Sequence, residues 1–327
     1  MRILITGGTG YIGSAAVHEL IRRGHEVIVF DNLVYGHAAA IPKKVHLIEG
    51  DLTERKLVAE TFERFAIEAV MHFASYTLVG ESVSNPGKYF RNNIVGGMNL
   101  LEEMIEYNVK KIIFSSSAAV YGEPKKVPIT ENEPLSPTNP YGETKVMIEK
   151  IMKWFEAAYG LRYINLRYFN AAGADIEANI GEDHDPETHL IPLVLETAMG
   201  KRKYIEVFGT DYSTPDGTCV RDYVHIKDII HAHVLALEKL EGGGGSAVYN
   251  LGTGKGASVK EVIDLVKEVT AINFKTKEGK RRPGDPARLV ASYDKAKKEL
   301  SWEPGYSLKE IIIDAWEWRK KNPDGYK

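Results

Sequence analysis

The chain has 327 residues and a single cysteine, Cys219, so an intramolecular disulfide framework is excluded and a reducing compartment suits it. It has no run of about 18 apolar residues, so no membrane-spanning helix is expected. It also lacks a dominant charge. Lys and Arg number 42 against 45 Asp and Glu, a formal net of −3, which gives no general attraction to nucleic acid or to an anionic membrane. No internal repeat is evident, and no leader can be removed without cutting into the first strand and the glycine turn after it. A cytoplasmic protein is therefore expected. What the chain does have is 43% hydrophobic residues, enough for one large α/β domain or for two domains around a cleft.

The N-terminus places a short apolar run, Ile3-Leu4-Ile5, directly before Thr6-Gly7-Gly8-Thr9-Gly10-Tyr11-Ile12-Gly13. A helical pattern follows, with Ile12, Ala15, Ala16, Leu20 and Ile21 on one side. Gly8-x-Gly10-x-x-Gly13 between strand and helix fits a dinucleotide-binding turn. Glycines permit the tight turn and let backbone N–H groups approach a pyrophosphate at the helix N-terminus. The next strand ends at Asp31, 18 residues past Gly13, where a carboxylate accepts the ribose 2′-hydroxyl. Asn32 follows, with no cation to neutralise a 2′-phosphate, so NAD is expected rather than NADP.

Strand-like runs recur at 2–6, 27–30, 45–49, 69–72, 111–115 and 163–167. Helical patterns lie between them at 12–23, 53–65, 89–107 and 141–159. This alternation predicts an α/β fold, a Rossmann-type doubly wound parallel sheet. Ligands on such sheets bind beyond the carboxyl ends of the strands, where Asp31, Asp51, Phe73, Ala74 and Ser115–Ser117 should gather.

After about Gly173 the text changes to polar, Gly- and Pro-containing loops with short elements. The expected division is 1–172, the NAD-binding Rossmann domain, and 173–327, mainly a smaller C-terminal α/β substrate-binding lobe. Some later elements, at about 218–255, are candidates to return to the first domain. The acidic stretch 181–185 reads as a solvated lid rather than a cation site. His231-x-His233 reads as structural, because residues two apart do not share a helix face.

Tyr141 and Lys145 stand four apart, on one face of the expected helix. An ammonium beside a phenol favours the phenolate and makes the tyrosine a candidate acid/base. Ser117 lies 24 residues upstream at a strand end, placed to hold a substrate oxygen. Either motif alone is more often an ordinary surface feature. Their combination with the glycine turn changes the reading.

Assembled, these residues resemble the extended short-chain dehydrogenase/reductase family, and within it the branch that inverts nucleotide sugars at C4. The resemblance runs nearly end to end. Its most specific stretches are 6–13, 31–33, 72–74, 79–82, 92–93, 115–122, 141–145, 166–170, 221–223 and 281–285. It implies interconversion of UDP-galactose and UDP-glucose by transient oxidation at sugar C4 with tightly bound NAD. Ser117, Tyr141 and Lys145 are implied as catalytic, with Tyr141 the acid/base. Implied NAD contacts are Gly7, Gly10, Tyr11, Ile12, Gly13, Asp31, Asn32, Asp51, Leu52, Phe73, Ala74, Asn93, Lys145 and Tyr168. Implied contacts to the UDP-hexose are Ser117, Tyr141, Asn170, Leu190, Phe208, Arg221, Arg282 and Asp285. Guanidinium forks suit the diphosphate. Phe208 could pack on uracil and Asp285 could take a ribose hydroxyl pair. A homodimer is implied, and neither nucleic acid, membrane nor metal.

The chain departs from some members at three positions. Thr77 stands where some carry Lys, His189 where some carry Asn, and Leu289 where some carry Tyr. The smaller Leu289 predicts room for a 2-N-acetyl group, hence turnover of UDP-GlcNAc and UDP-GalNAc. Three other activities would need different residues. A dehydratase would need an acid in 117–121, which reads Ser-Ala-Ala-Val-Tyr. A UDP-glucuronate epimerase would need a cation for the sugar carboxylate. A non-catalytic NAD-binding regulator would not need the Tyr/Lys pair.

Overall fold

In the computed structural model, residues 1–282 and 285–326 are described. The chain forms two compact units. The first comprises 1–123, 134–167 and 230–249, and the second 124–133, 168–229 and 250–327.

The first unit is built on β1 (Arg2–Thr6), β2 (Glu26–Asp31), β3 (His46–Glu49), β4 (Ala69–His72), β5 (Lys111–Ser117) and β6 (Arg162–Tyr168). With Ala247–Leu251 they make a seven-stranded sheet, in the order Ala247–Leu251, β6, β5, β4, β1, β2, β3. The β1 pairings to β2 and β4 are both parallel, as are β2 to β3 and β4 to β5. Strand order therefore reverses at β1, the switch point where an open α/β sheet binds its ligand. Consecutive residues Ile3, Leu4 and Ile5 are all buried, because helices cover both faces. Leu4, Ile28, Val70 and Ile112 pack on one face with Leu100, Met104, Ile148 and Met152.

The helix expected over 89–107 is broken in kind, though not in direction. Pro86–Tyr89 is followed by a π-helical turn, Phe90–Val95, and only then by α-helix, Gly96–Glu106. An apolar period of 3.6 carries no mark of one inserted residue. β5 continues to Ser117, two residues beyond the expected end, so Ser117 is the last strand residue.

The second unit uses short elements. Asn170–Ala172 pairs with Tyr223–His225, Ile205–Phe208 with Thr276–Gly279, and Val220–Arg221 lies between Ala257–Ser258 and Arg288–Leu289. Helices Leu190–Ala198, Val259–Thr270 and Leu308–Lys321 share a core of Val194, Leu195, Val262, Val266 and Ile311. Capping boxes start the last two, from Ser258 with Glu261 and Ser307 with Glu310. No helix among the described residues is long and apolar enough to cross a membrane.

Candidate active site

The glycine turn is dictated by close approach. Gly7 has φ +71°, and a Cβ there would lie 2.5 Å from the Ala74 backbone nitrogen. A Cβ on Gly13 would lie 2.0 Å from the Gly7 carbonyl oxygen. Only hydrogen fits at either place. The helix Tyr11–Arg22 starts at Gly10, which offers no side-chain cap, so the first-turn N–H groups of Tyr11, Ile12 and Gly13 lack the usual intrahelical acceptor. The Phe73 and Ala74 N–H groups donate to the Thr6 carbonyl at 2.9 and 3.0 Å, locking the loop after β4 to the end of β1.

Asp31, at the end of β2, accepts the Thr9 N–H at 3.0 Å and the Leu33 N–H at 2.9 Å, one on each oxygen. Each oxygen keeps acceptor capacity for a hydroxyl. The Asn32 amide donates to Asp51 at 2.9 Å, and Thr53 donates to the other Asp51 oxygen through N–H and hydroxyl. Burial pushes the Asp51 carboxyl up, but Thr53 and Asn32 together bring it below the ordinary value. The Leu52 carbonyl accepts the Asn99 amide at 2.8 Å. Asn93 reaches out of the π-helical turn. It accepts the Tyr76 N–H at 2.9 Å and donates to the Tyr76 carbonyl and to Thr144 Oγ1 at 3.1 and 3.0 Å. This ties the loop after β4 to the helix carrying Tyr141. A glycine cradle, an uncapped helix N-terminus and an acceptor carboxylate at the next strand end fit a dinucleotide with a free ribose 2′-hydroxyl.

Asn139 starts the next helix, Pro140–Tyr159, by accepting the Gly142 N–H at 2.9 Å, with Pro140 in the first turn. Tyr141, Lys145 and Glu149 then fall on one face in successive turns. Ser117 hydrogen-bonds the Tyr141 phenol and also accepts the Ala119 N–H at 3.1 Å. Lys145 Nζ donates to the Ser115 carbonyl at 2.8 Å and stands 5.7 Å from the centre of the Tyr141 ring. The three expected catalytic side chains are thus brought together.

Their electrostatics differ from expectation. Burial raises the Tyr141 phenol above its usual value, and the Ser117 hydrogen bond offsets only part of that. Burial also drives the Lys145 ammonium down to about 7, against the pull of Glu149. Desolvation outweighs proximity because both groups are enclosed and Lys145 is directed at a carbonyl. His72, bonded to Thr6 Oγ1 at 2.7 Å, is held neutral, pushed down to about 3 by burial and then by Lys145.

Sequence reasoning missed what lies behind Lys145. Glu149 accepts Ser116 Oγ at 2.6 Å and Arg167 Nε at 2.9 Å, and Arg167 donates onward to the Tyr121 hydroxyl at 2.9 Å. All four are buried. The signal was the third step of the Tyr141, Lys145, Glu149 spacing.

In the second unit, Arg221 forms an ion pair with Asp285, and its other arm donates to the Val220 carbonyl at 2.7 Å. Arg282 lies over the Phe208 ring, 4.3 Å from its centre. The Asn170 N–H is taken by the Asp222 carbonyl at 2.9 Å. Leu190 opens its helix, and Leu289 pairs in register with Arg221. Tyr168 is the last residue of β6 and is buried. Burial raises the Cys219 thiol, which suits no nucleophile.

The acidic loop is not the solvated lid expected. Glu182 and Glu187 side chains are only 7% and 5% exposed. They pair with His184 and with the half-exposed His189, a cluster that draws the imidazoles together with the carboxylates. Polar composition alone does not distinguish a solvated loop from one folded onto its own charges.

Residues 3–252 match the family described as NAD dependent epimerase/dehydratase. The chain is 52% identical to a UDP-glucose 4-epimerase of Halalkalibacterium halodurans, over 100% of this chain and 98% of the relative. A crystal structure of a UDP-glucose 4-epimerase matches with a TM-score of 0.97 and 52% identity, covering 100% of both chains. The enzyme from Bifidobacterium longum, solved with NAD⁺ and UDP, matches at TM-score 0.95 and 39% identity, covering 99% of this chain and 100% of that one. With a turn, an acid and a Ser/Tyr/Lys group that fit that cofactor, the chain belongs to the NAD dependent epimerase/dehydratase family.

Proposed function

We propose that this enzyme interconverts UDP-galactose and UDP-glucose by inverting the configuration at sugar C4. The observation that carries this is one unit holding Tyr141, bonded to Ser117 and backed by Lys145, on the same sheet whose first turn fits NAD. When bound, NAD supplies reversible hydride acceptance at C4. Everything else falls to the chain.

Tyr141 takes the proton of the 4-hydroxyl as the C–H bond breaks, and returns it when the bond re-forms on the other face. Ser117 holds the 4-oxygen and shares that proton. Lys145 stands beside the phenol and would reach the nicotinamide ribose, and with its ammonium pushed down to about 7 it carries charge for only part of the time at neutral pH. A phenol raised by burial is a poor base by itself, so the cationic cofactor and Lys145 together set its ionisation. Gly7 through Gly13 hold the pyrophosphate of NAD and Asp31 its ribose, with Asn32, Asp51, Leu52, Phe73, Ala74, Asn93 and Tyr168 around the rest. In the second unit Arg221 and Arg282 take the diphosphate of the substrate. Phe208 packs on uracil, Asp285 takes a ribose hydroxyl, and Asn170 and Leu190 complete the contacts. Thus 1–172, with later elements from about 218–255 returning to it, would serve mainly the cofactor and 173–327 mainly the substrate.

No acid stands in 117–121, so elimination lacks its proton shuttle. Leu289, in register with Arg221, supports tolerance of UDP-GlcNAc. Exposed Trp154 and Val95, on the helical stretches 140–159 and 90–95, support a homodimer, and the single cysteine supports a cytoplasmic setting.

The test is purified protein with UDP-galactose and no added nucleotide. UDP-glucose should form. No product, even with NAD supplied, would reject the reading, and parallel incubations with UDP-GlcNAc and UDP-glucuronate would define the substrate. Light scattering reads the dimer.

A further inference from the structure

We propose that Glu182, His184, Glu187 and His189 form a binding site for a divalent transition-metal ion, zinc above all. Each offers one ligand atom, and the four atoms lie within 4.8 Å of one another. Nδ1 of His189 is 2.7 Å from Glu182 Oε1 and 3.3 Å from Glu187 Oε1. Nδ1 of His184 is 3.4 Å from Glu182 Oε1 and 3.7 Å from Glu187 Oε2. A tetrahedral zinc with bonds of about 2.0–2.2 Å sets its ligands roughly 3.3–3.6 Å apart, so little movement is needed.

A second observation points to a ligand. Glu187 Oε1 is held by the Thr188 and His189 N–H groups at 2.7 and 2.8 Å. That grip orients the carboxylate and leaves Oε2 buried, with Nδ1 of His184 facing it at 3.7 Å, too long for a good hydrogen bond. A buried carboxylate oxygen without a donor is costly unless something cationic meets it. Two imidazole nitrogens with two carboxylate oxygens suit zinc, whereas calcium and magnesium favour all-oxygen shells. The ligands all come from one irregular loop, and the last of them directly precedes Leu190. The ion would cross-link that loop and fix the entry to the helix Leu190–Ala198. It is assigned a structural role, with no part in proton transfer.

The test uses untagged full-length protein with its NAD, purified without chelator. Elemental analysis should find about one zinc per chain. After stripping with a chelator, calorimetric titration with zinc chloride should restore it, and melting temperature should rise with it. His184→Ala and the near-isosteric Glu187→Gln should each weaken zinc uptake at least about tenfold while circular dichroism and NAD content stay unchanged. Stripped protein that takes up no zinc would overturn the proposal. So would variants that bind it as tightly as the parent. Both readouts are independent of turnover, so they stand or fall apart from the proposed activity.

Discussion

Of the several arginine–carboxylate pairs, Arg167–Glu149 in the first unit and Arg221–Asp285 in the second teach different things. Arg167 and Glu149 in the first unit are almost wholly enclosed, with side chains 5% and 4% exposed, and Ser116 and Tyr121 take up remaining hydrogen-bonding capacity. Arg221 and Asp285 in the second are 12% and 26% exposed, and Arg221 has one arm on a backbone carbonyl. The first pair is closed to any ligand and serves the helix that carries Lys145. The second leaves a guanidinium that solvent, or a phosphate, can still reach. Burial rather than chemistry separates scaffold from binding group.

The sharpest way to break the comparison is at Tyr141, which is enclosed like the first pair yet must react. Tyr141→Phe should fold, retain NAD and lose turnover by about 10²–10⁴-fold in a UDP-galactose assay. Wild-type activity would sink the assigned role. Next comes the buried pair itself. Glu149→Gln leaves Arg167 without its charge partner and should cost about 3–5 kcal/mol in urea unfolding, whereas the double change Glu149→Leu with Arg167→Met should recover part of it. At the less enclosed pair, Arg221→Ala should raise KM for UDP-galactose about 10–100-fold with kcat nearly kept, and shift unfolding by less than Glu149→Gln does. A fall in kcat of the same size would place Arg221 in the reaction rather than in binding.

His72 sets a pH dependence of stability. Unfolded, it protonates near the ordinary 6.5, and folded only near 3. Below pH 6.5 the unfolded chain therefore binds a proton that the folded one does not. This group's contribution makes stability fall as pH drops from 6.5 toward 3, by up to about 1.4 kcal/mol per pH unit. Urea midpoints at pH 7, 6 and 5 should show a shallower fall in His72→Asn.

Much of the first unit was legible because a sheet covered on both faces writes its strands as continuous apolar runs, as at Ile3-Leu4-Ile5 and Ile112-Ile113-Phe114. The Ser117, Tyr141 and Lys145 group was legible from spacing. The sign of the Tyr141 shift was not, since proximity can be read along a helix but burial cannot. Nor could Arg167 be matched to Glu149 across 18 residues of unrelated text. The second unit's strands, two to four residues long, are too short for any period to register. Its acidic loop showed composition without showing that it folds onto its own imidazoles.

The sheet's order of construction carries a cost in time. β6 is covered at its outer edge by Ala247–Leu251. A ribosome must add residues 169–246 between the two, which takes roughly 4–16 s at ordinary elongation rates. Throughout that interval the nascent sheet ends in a bare strand whose Ile164, Asn165 and Leu166 are destined for complete burial. An open apolar edge invites pairing with a neighbouring chain. That edge is covered only once Ala247–Leu251 has been translated.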